Sequence, residues 1–154
     1  MKSRLLRVVV ASEDAGERQI LTQVVEGLPG TALVAEVTLV CQMGRQAGHV
    51  AADCVVLDID RYPLAGALSL AQARATFRGA SVIVLARSIR LRFLHFLEAS
   101  GASCCIDKGD PGWQVQLMHA LRAIATSGGG TLPAVLSQNP AVAWPCPGGS
   151  VRSG

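Results

Sequence analysis

Along roughly the first 127 residues, short runs of consecutive apolar residues alternate with longer stretches in which apolar residues return every three or four positions. The runs cover residues 7–11, 32–37, 54–58, 81–85 and 103–106 and are rich in Val, Ile and Leu, so each predicts a buried β-strand. Between them, Ile20, Leu21, Val24, Val25 and Leu28 mark one face of a helix that Pro29-Gly30 stops. A second helix near 41–51 is weakened by Gly44 and Gly48. A third runs from about 65 to 77, a fourth uses Leu91, Leu94 and Leu97, and a fifth carries Trp113, Leu117, Leu121 and Ile124. Five strands each followed by a helix predict an α/β domain with a doubly wound parallel sheet, because parallel neighbours need crossover connections and helices then cover both faces.

In such a sheet, ligands bind beyond the carboxyl ends of the strands. The stretch "ADCVVLDIDRYP" places Asp58 at that end of the third strand, with Asp60 two residues later. Ser12, Glu13 and Asp14 follow the first strand, and Lys108 follows the fifth. Clustered carboxylates at a sheet rim suit a hard cation with oxygen ligands, Mg²⁺ above all. A carboxylate beside a cation can attack phosphorus, and a lysine can pair with the transferred oxygens. The constellation points to phosphoryl transfer onto Asp58.

Composition narrows the setting. At 154 residues there is room for one domain of ordinary size. Half of the residues are hydrophobic and only 4% aromatic, so the core must be packed from aliphatic side chains. A net charge of +3, with its basic residues scattered, is a weak nucleic-acid signal, and DNA binding by this chain is not expected. The five cysteines are odd in number, form no CxxC, and mostly lie in apolar segments, which fits reduced thiols. No apolar run approaches the ~20 residues of a membrane helix, and Glu13 and Asp14 close the N-terminal apolar run too early for a secretory signal. A cytoplasmic protein is expected. Beyond residue 127, the Gly/Pro-rich stretch 128–154 reads as a linker or disordered tail, leaving 1–127 as the domain.

The segment "VVLDIDRYPLAG" is similar to the phosphoacceptor segment of the receiver domains of two-component response regulators, and "GASCCIDKGD" resembles the segment that ends in their lysine. The resemblance covers about residues 5–127, and "AIATSGGGTLP" looks most like the subfamily with a C-terminal helix-turn-helix output domain. It implies a flavodoxin-like (βα)5 fold with strand order 2-1-3-4-5. It further implies Asp58 and Lys108 as the reacting pair, with Glu13, Asp14, Asp58 and Asp60 about a Mg²⁺ ion and Asp60 contributing its backbone carbonyl. Its partner would be a histidine kinase or phosphotransfer protein, and no small-molecule enzyme activity is implied. The departures are specific. Ser12 and Glu13 stand where the family has two acids, with Glu13 and Asp14 as the pair in an alignment slipped by one. Ala86 replaces the hydroxyl residue that ends the fourth strand, Cys105 replaces an aromatic, and Pro63 comes one position late. The chain therefore resembles an atypical receiver with a weakened cation site.

Two rivals follow. One is a phosphorylation-independent interaction module that docks through the fourth helix, fifth strand and fifth helix, a face carrying Arg87, Arg90, Arg92 and Trp113 and also open to homodimer formation. The other is the regulatory part of a transcriptional regulator without its output domain. The plainer readings are Asp58 as a turn cap, Glu13 and Asp14 as acids favouring a helix dipole, and the arginines as a solvated face. His49, His95 and His119 lie in separate helical segments without ligand spacing, which argues against zinc.

Overall fold

In a computed structural model of the chain, which describes residues 4–59, 66–87 and 90–127, five strands alternate with five helices. The strands are β1 (Leu6–Ala11), β2 (Thr31–Val37), β3 (Cys54–Asp58), β4 (Ser81–Ala86) and β5 (Cys104–Asp107). The helices are α1 (Ala15–Glu26), α2 (Met43–Ala47), α3 (Gly66–Thr76), α4 (Leu91–Ala99) and α5 (Trp113–Thr126). All strand pairs are parallel, and the sheet order is β2-β1-β3-β4-β5, as expected. The chain reverses its direction of winding between β2 and β3, so the carboxyl ends of β1 and β3 flank the switch point.

Strand alternation divides the core into two layers. Val8, Val10, Cys54, Val56, Ile83, Leu85, Cys104 and Ile106 face α1 and α5, where they meet Leu21, Val25, Leu117, Leu121 and Ile124. Val9, Ala11, Val55, Leu57, Val82, Val84 and Cys105 face the other side and pack on Met43, Leu70, Ala73, Leu94 and Leu97. Cys104 and Cys105 thus point to opposite faces, as alternation requires. β3 and β4 are buried at every position, which explains their unbroken apolar sequences.

Asp14 caps α1, its carboxylate accepting the Glu17 N–H at 2.9 Å. The helix closes at Glu26, and Gly30 takes φ +87° in the turn to β2, a left-handed conformation that glycine adopts without Cβ strain. The second helix differs from the expectation of 41–51: a single 3₁₀ turn at Val40–Gln42 leads into only five α-helical residues. Gly44 and Gly48 favour helix too little to extend it, and Met43 and Ala47 alone anchor it to the core. Cys41 is exposed, whereas Cys54, Cys104 and Cys105 are buried. Residues 60–65 and 128–154 lie outside the described residues, so the expectations for Asp60, Pro63 and the tail are not addressed by them.

At the opposite, amino end of the sheet, Asp53 binds β1 to β3. It accepts the Arg7 N–H at 2.9 Å and the Arg7 guanidinium through Nε at 3.1 Å and Nη2 at 2.9 Å, and Arg4 Nη2 adds a further contact at 2.6 Å. The side-chain hydrogen bond from Arg7 holds the Asp53 carboxyl below the usual range, against an opposing effect of burial. A depressed carboxyl contributes stability that is present above its unfolded value, about 3.9, and lost as pH falls through the folded one. Asp53→Ala should therefore lower the urea midpoint at pH 7, and the gap to the parent protein should narrow below about pH 4, as denaturation curves at several pH values will show.

Candidate functional site

Asp58 is the last residue of β3 and is only 6% exposed, although its strand ends at the sheet rim. A buried carboxylate needs a compensating charge and hydrogen bonds. Lys108 supplies the charge: its Nζ lies 3.2 Å from Asp58 Oδ1 and 3.1 Å from Oδ2, and the residue is 4% exposed. Ser12 adds a neutral donor, its Oγ donating to Asp58 Oδ2 at 2.9 Å while accepting the Asp14 N–H at 3.3 Å. Ser12, Asp58 and Lys108 thus converge from the ends of β1, β3 and β5.

The backbone explains this convergence. The Ser12 N–H extends the β1–β2 ladder to Val37 O at 3.1 Å, and the Lys108 N–H extends β5 to Ala86 O at 2.9 Å. Two aspartates then turn the chain after Lys108. Asp107 accepts the Gly109 N–H at 2.7 Å, and Asp110 accepts the Gly112 N–H at 2.8 Å and the Gln116 side-chain amide at 3.1 Å. The second of these contacts fixes the start of α5.

Glu17, in the first turn of α1, is the site residue that the local sequence pattern does not disclose. Its Oε1 lies 3.0 Å from Lys108 Nζ and 3.0 Å from Arg87 Nη2. In sequence, Asp14-x-x-Glu17 has the spacing of a capping box, in which Glu17 would reach back to the helix start. In the fold it reaches across to β5 and the end of β4 instead. The result is an alternation of charges: Asp58, Lys108, Glu17, Arg87. Burial pushes the Lys108 ammonium down, but the charge of Asp58 and hydrogen bonds to Glu17 and Asp58 outweigh burial and hold it above its ordinary value.

Glu13 and Asp14, two further acids of the expected cation set, each accept a backbone N–H. Glu13 Oε2 accepts the Val40 N–H at 2.9 Å, which ties the end of β1 to the turn after β2. Asp14 is occupied as the α1 cap. Among the described residues no group of three or more His, Cys, Asp or Glu side chains could hold a metal ion. Asp60, whose backbone carbonyl completes the expected set, lies outside the described residues. Ala86 and Cys105 are both buried, at 1% and 0% exposure, and belong to the core layer under α3 and α4. His49 and His95 are exposed and His119 is half-buried. No helix among the described residues is long and apolar enough to cross a membrane.

No protein-family model matches the chain, and no curated protein sequence matches it. Solved structures do. A two-component response regulator of the LuxR family from an Aurantimonas species superposes with a TM-score of 0.70 at 21% identity, covering 90% of this chain and 96% of that one. The fold is that of receiver domains. The isolated REC domain of RcsB from Salmonella enterica serovar Typhimurium, determined with the phosphomimetic BeF3-, gives a TM-score of 0.70 at 17% identity, covering 88% and 98%. A CheY-like receiver domain protein from Methanospirillum hungatei gives 0.67 at 17% identity, covering 80% and 95%.

Lys108 is the cation on which the buried Asp58 depends. Lys108→Met should cost about 3–5 kcal/mol of unfolding free energy, because it strands a buried carboxylate, and Lys108→Met with Asp58→Asn should regain most of that loss. Denaturant titration of the two variants checks this. Since the Lys108 value is raised, its contribution is complete below about pH 10.4 and is lost as pH rises through the folded value.

Proposed function

We propose that the chain is an atypical receiver domain of two-component signalling, with Asp58 as the phosphoacceptor and Lys108 as the cation that meets the transferred phosphoryl group. The observation that carries the reading is the buried Asp58–Lys108 pair, with Nζ at 3.1 and 3.2 Å from the two carboxylate oxygens, at the rim of a sheet of order β2-β1-β3-β4-β5. In the reaction an Asp58 oxygen attacks phosphorus of an acyl phosphate or a phosphohistidine. The new O–P bond forms as the bond to the leaving carboxylate or imidazole breaks. Lys108 keeps its proton throughout and neutralises charge on the phosphoryl oxygens. Ser12 holds Oδ2 by a hydrogen bond, and Lys108 contacts both carboxylate oxygens.

A histidine kinase or phosphotransfer protein is the partner this reading requires. Domain limits of 1–127, with 128–154 as a linker or tail, belong to the same proposal. Glu13, Asp14, Asp58 and the backbone carbonyl of Asp60 would hold Mg²⁺ in this reading, and because Glu13 and Asp14 also serve backbone N–H groups the site is weak: uptake should be slow and should depend on Mg²⁺. A second reading has its own support. Glu13 and Asp14 are engaged with backbone N–H groups, and Ala86 offers no hydroxyl, which suits an interaction module working without phosphorylation.

Incubation of the chain with acetyl phosphate, with and without Mg²⁺, followed by intact-mass spectrometry separates the two. A gain of one phosphoryl group that disappears in Asp58→Asn is expected. No gain under either condition would refute the phosphoacceptor reading and leave the interaction module.

A further inference from the structure

We propose that Glu17 is a positioning residue that couples the Asp58 pocket to Arg87 at the end of β4. The inference rests on the reading of Asp58 as the position where the signal arrives. Three observations support it. One atom, Glu17 Oε1, serves both Lys108 Nζ and Arg87 Nη2 at 3.0 Å. Lys108 is at the same time shared with both oxygens of Asp58. Arg87 directly follows Ala86 at the end of β4, so the chain of contacts leads from the pocket to the start of the β4–α4 connection.

The electrostatics give the coupling its sign. The Lys108 side chain is 1% exposed and that of Glu17 is 17% exposed, so their contact is poorly screened compared with a surface pair. More negative charge at position 58 draws the ammonium towards it and leaves Glu17 to rely on Arg87, which tightens the Arg87 contact. Loss of charge at position 58 leaves Lys108 to Glu17, and the hold on Arg87 slackens. The Arg87 side chain is 58% exposed, so this contact is weak enough to be made or released by a modest change at its partner. The arrangement therefore reports the charge at Asp58 on the surface beside α4.

Nuclear magnetic resonance of the isotope-labelled full chain, without any phosphodonor, tests this. Asp58→Asn should move the Arg87 backbone amide and guanidinium signals, the latter towards those of the exposed Arg90 and Arg92. The same substitution in a Glu17→Gln background should leave them in place. Equal movement in both backgrounds, or no movement at Arg87 in the parent background, overturns the proposal. Should Glu17→Gln fail to fold, Arg87→Ala alters only an exposed side chain and must displace the Lys108 ammonium signal; an unmoved signal overturns the proposal equally. Because these measurements need no phosphoryl transfer, failure of Asp58 to take up phosphate leaves their outcome independent.

Discussion

Asp58 ends a strand that is buried on both faces, and an ionised carboxylate there is stable only when a positive charge reaches it inside the protein. That requirement fixes much of the upper rim. It recruits Lys108 from the end of β5, two strands away, and Lys108 reaches it only because β4 and β5 are in the register that pairs Ala86 with Asp107 and because Asp107 and Asp110 turn the chain immediately afterwards. Ser12 must then stand at the end of β1, where β1 and β3 pair with Ala11 opposite Leu57. The parallel ladder and the buried charge pair are thus mutually dependent. The ladder sets three side chains within hydrogen-bonding distance, and the pair makes it tolerable to bury two of them.

The two ends of the sheet solve the same electrostatic problem differently. At the amino end, Asp53 is held by a half-buried Arg7 and an exposed Arg4, so the contacts act as a clasp between β1 and β3 at the protein surface. At the carboxyl end, the cation is a lysine sealed from solvent. A compact ammonium can turn among Asp58 and Glu17 without the fixed planar geometry that a guanidinium demands. This freedom to be shared is what links Glu17, and through it Arg87, to the pocket.

Beside the buried pair, the ends of β4 and β5 are closed by packing. Ala86 and Cys105 complete the aliphatic layer against α3 and α4, where Leu70, Ala73, Leu94 and Leu97 surround them. Glu13, in turn, satisfies the N–H of Val40 at the start of the turn into α2, so that carboxylate has a structural task. In the fold this acid ties the end of β1 to the short turn that leads into α2.

The alternation of apolar runs and helical periods determined the five strands, the parallel sheet and the place of Asp58 and Lys108, because each depends on local pattern and on the rule that parallel strands present their carboxyl ends together. Strand limits moved by only a residue or so, as with Leu6 and Ala86 joining β1 and β4. The direction of side chains at the rim was a different matter. Glu13, Asp14 and Glu17 lie within five residues of one another, yet Glu13 turns to Val40, Asp14 caps its own helix, and Glu17 crosses to Lys108 and Arg87. Local spacing marks Asp14 as a cap but does not distinguish the fates of Glu13 and Glu17. Asp14 finds its partner within its own helix turn, but those of Glu13 and Glu17 lie 27 to 91 positions away in sequence and are brought close only when the sheet has formed.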